Sequence, residues 1–127
     1  MSKQIISTEN APSSPLYAQG VRVGSTIYVS GTVGMDPVTK KMAGATIEEQ
    51  TRQALCNCMA IVEAGGGRLA DIAQVTVLLA NPADFARMNE AYAQVFASEP
   101  PARAVTKLGV ELPSVLVSIM MTAHVEE

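Results

Sequence analysis

The 127 residues and 13.3 kDa fit one domain with one core, spanning residues 1–127, and the 48% hydrophobic and 17% charged shares are those of a folded chain. Nine Lys and Arg against twelve Asp and Glu leave a net charge of −3, which offers no electrostatic footprint for nucleic acid. A single His and no Trp argue against most metal sites and a Ser-His-Asp hydrolase, while the absence of a long apolar run or a leader-like start predicts a cytoplasmic chain without membrane contact.

Residues 4–7 read as a short extended start, followed by a loop at 11–15 that Pro12, Pro15 and the serines keep irregular. Residues 21–30 read as a hairpin: Val21 and Val23 alternate with polar neighbours, Gly24-Ser25 marks the turn, and Ile27 and Val29 resume the apolar face. Tyr28 and Ser30 point the other way. Thr46 with Glu49 three residues later is a capping box, so a helix should begin there. Its stripe is Ile47, Thr51, Leu55, Cys58, Met59 and Val62, and Gly65-Gly66-Gly67 ends it. A phosphate cradle precedes a helix, whereas this glycine run follows one.

Residues 72–80 are apolar on both sides, with Val75, Val77 and Leu79 on one face and Leu78 and Ala80 on the other, which predicts a strand buried on both faces. Asn81 as N-cap and Pro82 at the first helical position start a second helix with the stripe Phe85, Met88, Tyr92, Val95 and Phe96, and Pro100-Pro101 stops it. Strands at 103–110 and 115–125 complete the chain through Leu112-Pro113. The order β-β-β, helix, β, helix, β-β predicts an α+β sandwich with both helices on one face of a mixed sheet. The uncovered face reads as apolar, so the chain is expected to close it in a homo-oligomer.

Several residues are candidates for chemistry. Arg103 follows Pro100-Pro101-Ala102 at the start of a strand, a restricted setting suited to bidentate capture of a carboxylate. Tyr17 could wall a pocket or anchor its loop, and Ser30 before Gly31 could present a hydroxyl beside an approachable backbone. His124 falls near the end of the last strand and reads as solvated. Glu48, Glu49 and Glu63 belong to the first helix rather than to a poised acid pair. Cys56 and Cys58 would project about 200° apart on a helix, so they neither bridge nor chelate together; they read as small buried hydrophobes in a reducing compartment.

The runs Ile6-Ser7-Thr8-Glu9-Asn10-Ala11-Pro12, Tyr17-Ala18-Gln19-Gly20 and Ile27-Tyr28-Val29-Ser30-Gly31 resemble the RidA/YjgF family of imine deaminases. The resemblance continues through Val75-Thr76-Val77-Leu78-Leu79, Asp84-Phe85, Met88-Asn89, Pro101-Ala102-Arg103 and Leu112-Pro113, and covers essentially the whole chain. It implies a chorismate-mutase-like fold, a six-stranded sheet with two helices, assembled as a homotrimer with a ligand cleft at each subunit boundary. It further implies that Arg103 grips the carboxylate of a 2-imino acid. Tyr17, Ser30 and Asn89 would line the cleft, and the backbone of Gly31 and Val105 would add polar contacts. The implied reaction is hydrolysis of an imine or enamine, released by pyridoxal-phosphate dehydratases, to a 2-keto acid and ammonia, with no metal or organic cofactor.

The sequence departs from the family at one decisive place. Active members carry a glutamate on the last strand, where it is taken to orient the attacking water. Here the run is Val117-Ser118-Ile119-Met120-Met121-Thr122-Ala123. Anchoring on Ala123 puts Met120 at that position, an ungapped alignment from Leu112-Pro113 puts Met121 there, and the period of 2 favours Met120. Val105 stands where a cysteine is frequent, Thr32 replaces the usual residue after Ser-Gly, and the loop before Tyr17 is shorter. Two expectations follow: an imine deaminase weakened by the missing carboxylate, or a non-catalytic trimer that binds a small 2-imino or 2-keto carboxylate. A ribonuclease or translation inhibitor fits the acidic balance and the lone His less well.

Overall fold

The computed structural model describes residues 2–126. Its elements run β1 (Gln4–Ile6), β2 (Gly20–Val23), β3 (Thr26–Val33), α1 (Ile47–Ala64), β4 (Ile72–Leu79), α2 (Phe85–Val95), β5 (Ala102–Lys107) and β6 (Val117–His124). The six strands form one mixed sheet in the order β1-β2-β3-β6-β4-β5, in which only β4 and β5 are parallel, joined through α2. The last two strands are shorter than their apolar runs, because the chain between them turns through Leu112 and Ser114 before β6 pairs.

Helix α1 begins as its capping box dictates: the Thr46 hydroxyl accepts from the Glu49 N–H at 3.2 Å, and the Glu49 carboxylate accepts from the Thr46 N–H at 3.3 Å. Gly65 caps its far end. Asn81 caps a single 3-10 turn, Pro82–Asp84, from which α2 continues. That helix ends at Val95, before the prolines are reached, with Phe96 as its C-cap.

The core lies between the helices and one sheet face. Ile27 and Val29 of β3, Val75, Val77 and Leu79 of β4, and Val117, Ile119, Met121 and Ala123 of β6 pack there against Leu55, Cys58, Ile61 and Val62 of α1 and Met88 of α2. Each Val, Leu, Ile and Met side chain among them contributes roughly 1.5–3 kcal/mol by leaving water.

Three buried amides tie the loops to this frame. Gln19 Nε2 donates to the carbonyls of Thr8, Ala11 and Pro12; Gln50 Nε2 donates to those of Gly44 and Ser114; and Asn57 Nδ2 donates to those of Val33 and Met35. A carbonyl facing an apolar core would otherwise lose its water partner uncompensated. Gly34 lets the chain after β3 pass close against α1, since a Cβ there would overlap the Gln50 backbone.

The sheet corrects the expected faces. The turn at Gly24 (φ 58°) and Ser25 pairs Val23 with Thr26 and Val21 with Tyr28. Val21 and Val23 therefore share a face with Tyr28, opposite Ile27 and Val29, while Arg22 lies on the helix side and donates to the Gly65 carbonyl at 2.8 Å. Strand β4 is buried on its helix face alone: Thr76 and Leu78 on the other side are half-buried in a single chain. That uncovered face is mixed rather than apolar, with Thr26, Thr76, Thr106 and Thr122 interleaved among Tyr28, Leu78 and Met120. Phe85 keeps its place on the helical stripe with Tyr92 but, at the first position of α2, is 46% exposed and not part of the core.

Candidate functional site

Arg103 pairs with Val75 on β5, the outermost strand at that end of the sheet, so its side chain turns to the helix side. There α2 presents Phe85, Asn89 and Tyr92, spaced i, i+4 and i+7 along one stripe. Arg103 Nη1 donates to Asn89 Oδ1 at 2.7 Å. Its guanidinium carbon lies 4.7 Å from the centre of the Tyr92 ring and 5.9 Å from that of Phe85. Contacts of this type contribute roughly 0.5–2 kcal/mol each and fix the plane of the cation. Arg103 is exposed, so the N–H groups not directed at Asn89 are open to a ligand. The residues that hold it come from the helix opposite, not from the prolines before it.

Val105 lies two residues further along the same face and is half-buried. The Leu108 N–H donates to the Leu79 carbonyl at 2.8 Å, so strand alternation turns the Val105 N–H and C=O to the open edge.

Tyr17, Ser30 and Gly31 form a second group elsewhere. Between Val29 and Thr32, β3 has one residue more than β6, so Ser30 and Gly31 make a β-bulge whose backbone leaves the ladder. The Ser30 hydroxyl donates to the Ala18 carbonyl at 2.6 Å and its N–H donates to the Gln19 carbonyl at 3.0 Å, so the hydroxyl's own proton is committed and its oxygen is left able only to accept. Tyr17 is 56% exposed in a turn bridged to Ser14, which fits a wall and not a loop anchor. These residues share a recess of only about 50 Å³, too small for a ligand by itself.

Met120 opposes Thr76 on the uncovered face and is 44% exposed between Ser118 and Thr122. Met121 pairs with Val75 and Val29 in the core at 2% exposure, so of the two methionines Met120 is the accessible one. Strands β6 and β4 separate β3 from β5, a gap of about 14 Å, and Met120 faces away from Arg103. The candidate residues thus fall into two separate groups on one chain: Arg103, Asn89 and Val105 at one edge; Tyr17, Ser30, Gly31 and Met120 around the bulge and the uncovered face.

Cys58 is buried beside the Ile119 carbonyl, and burial pushes its thiol up to about 12; Cys56, expected to be buried, is exposed. Glu48 is held below the usual carboxylate range by the Arg87 guanidinium, whose fork spans both oxygens at 2.7 and 2.9 Å. Burial raises the Tyr92 hydroxyl and Arg103 partly opposes it. His124 is exposed, 3.5 Å from the Thr26 hydroxyl. Among the described residues no cluster of His, Cys, Asp and Glu could hold a metal ion, and no helix is long and apolar enough to cross a membrane.

The profile of the family described as Endoribonuclease L-PSP matches residues 8–125. A RutC family protein of Saccharolobus solfataricus is 42% identical over 124 residues, covering 96% of this chain and 98% of its own. The 2-iminobutanoate/2-iminopropanoate deaminase of Bos taurus is 42% identical over 103 residues, covering 80% of this chain and 75% of the relative. The crystal structure of Escherichia coli TdcF with bound serine superposes with a TM-score of 0.91 at 33% identity, covering 97% of this chain and 99% of that one.

Proposed function

This chain belongs to the endoribonuclease L-PSP family, the group of the RidA, YjgF and RutC proteins, and on that footing we propose that it hydrolyses small 2-imino acids to 2-keto acids and ammonia. The observation that carries the reading is the Arg103 fork, fixed by Asn89 and Tyr92 at an open sheet edge. It matches the planar carboxylate such a substrate carries. A neighbouring copy in a homotrimer would bring the bulge of β3 and the uncovered face against this edge, completing the cleft from two half-sites.

Within that cleft Arg103 binds the carboxylate equally in substrate and transition state, so it supplies positioning. Water adds to the imine carbon, forming a C–O bond as the C=N π pair moves to nitrogen. One water proton passes to that nitrogen, leaving a hydroxyl and an amine on the same carbon; the hydroxyl proton then follows to nitrogen, the C–N bond breaks with its electron pair leaving on ammonia, and the oxygen's electron pair closes the C=O of the keto acid. The Ser30 oxygen and the bulged backbone at Gly31 supply acceptors for the attacking water. Met120 supplies none.

That absence favours a second reading, a trimer that binds small carboxylates without turnover. General-base assistance is worth about 10²–10⁴-fold, and a thioether cannot give it. A nuclease reading fits less well, because the net charge is −3 and the lone histidine stands apart at the end of β6.

The test is hydrolysis of 2-iminopropanoate generated in place. The parent should exceed the uncatalysed rate, Arg103→Ala should lose about 100-fold in kcat/KM, and Met120→Glu should gain about 100-fold. A parent at the background rate that still binds pyruvate, with Met120→Glu active, establishes the second reading instead. Activity unchanged in Arg103→Ala removes the clamp from both.

A further inference from the structure

We infer that the groove between the open edge of β5 and the start of α2 receives the substrate's side chain, and that Phe85 selects 2-imino acids with branched or aromatic apolar side chains. The inference rests on the deaminase reading for the identity of the substrate. The groove encloses about 440 Å³ and is lined by Leu79, Pro82, Phe85, Val105, Thr106 and Lys107. That volume is within the range of small-molecule sites.

Three observations tie it to the carboxylate clamp. Phe85 faces both: its ring centre is 5.9 Å from the Arg103 guanidinium carbon, and the same ring walls the groove. It is also the exposed aromatic of a helix whose Met88, Ala91 and Tyr92 are buried, so its burial does not hold α2 to the core. Finally, Val105 lies two residues beyond Arg103 on the same face, about 7 Å along the strand. A carboxylate held at Arg103 therefore directs a chain of five or six carbons along Phe85 and Val105, whereas a three-carbon imine stops short of them. The lining residues include no carboxylate, so the groove does not match a basic side chain.

The test is calorimetric titration of the full-length protein with pyruvate, 4-methyl-2-oxopentanoate and phenylpyruvate, in the parent, Phe85→Ala and Phe85→Leu. Hydrolysis of the three corresponding imines, generated by an amino-acid oxidase, is measured alongside. The parent should bind the two larger keto acids about tenfold tighter than pyruvate. Phe85→Ala should lose about tenfold more affinity for them than for pyruvate, and Phe85→Leu should retain the preference for 4-methyl-2-oxopentanoate. Equal affinities in the parent, or an equal loss for all three in Phe85→Ala, overturns the inference. A size preference without hydrolysis of any imine supports the groove and overturns the deaminase reading alone; no binding of any keto acid overturns both.

Discussion

Among the described residues the buried Tyr92 hydroxyl finds no hydrogen-bond partner, while the Arg103 guanidinium lies over the ring that carries it. An unpartnered buried hydroxyl costs stability, and phenylalanine offers the same ring without it. Tyr92→Phe should therefore stabilise the fold by about 1 kcal/mol, a rise of roughly 2–5 °C in the thermal midpoint, and leave Arg103 in place. A fall of the midpoint would show that the hydroxyl has a partner in solution. The two cysteines give a second residue-scale test. Cys58 is buried with its thiol pushed up to about 12, whereas Cys56 is exposed, so a thiol reagent at neutral pH should label Cys56 alone until denaturant is added. Rapid labelling of both in native conditions would contradict that burial. Arg103 could be singled out from the sequence because of its strand and its prolines. The stripe Phe85, Asn89 and Tyr92 has helical spacing too, but only β5 lying opposite α2 shows that it holds a cation.

At the scale of elements, α1 and α2 are joined by the exposed pair Glu48 and Arg87. Glu48 has its pKa lowered from 4.5 chiefly by the hydrogen bond from Arg87. A lowered folded-state pKa means the unfolded chain takes up its proton first. The stabilisation is therefore complete above about pH 4.5 and is lost as pH falls through the folded value. Arg87→Ala should lower the urea midpoint at pH 7 in low salt, and the difference from the parent should shrink as the pH is taken below the ordinary carboxylate value of 4.5. A difference that persists at acid pH would mean Arg87 acts through its stem and not its charge. The capping box of α1, its glycine end and the Asn81-Pro82 start before α2 were all legible, because local hydrogen bonds and proline geometry decide them. The hairpin's faces were not. Apolar alternation is visible on each strand, but a two-residue loop pairs Val21 with Tyr28 and sends both to the uncovered side.

For the whole molecule, the proposed trimer makes a test that a self-contained site would fail. If Arg103 works with Tyr17 and Ser30 of a neighbour, inactive Arg103→Ala and inactive Tyr17→Ala/Ser30→Ala chains should complement on mixing and reassembly. Random assembly would leave about a quarter of the clefts with both halves intact, and activity should recover in that proportion. No recovery in a mixed oligomer of the expected mass places the whole site within one chain.

Periodicity, caps and turn residues were enough to specify six strands, two helices and their order, since each depends on contacts within a few residues. The resemblance of short runs carried the family and marked Arg103, Asn89, Tyr17, Ser30 and Gly31. The tertiary structure alone decided which strands are neighbours, and hence that those residues fall into two groups about 14 Å apart on the sheet. The period of 2 had already set Met120 and Met121 on opposite faces, and the structure adds that Met121 is the one in the core and Met120 the exposed one. The reason is physical: sequence patterns record which side chains leave water, whereas strand order and register fix what those side chains meet.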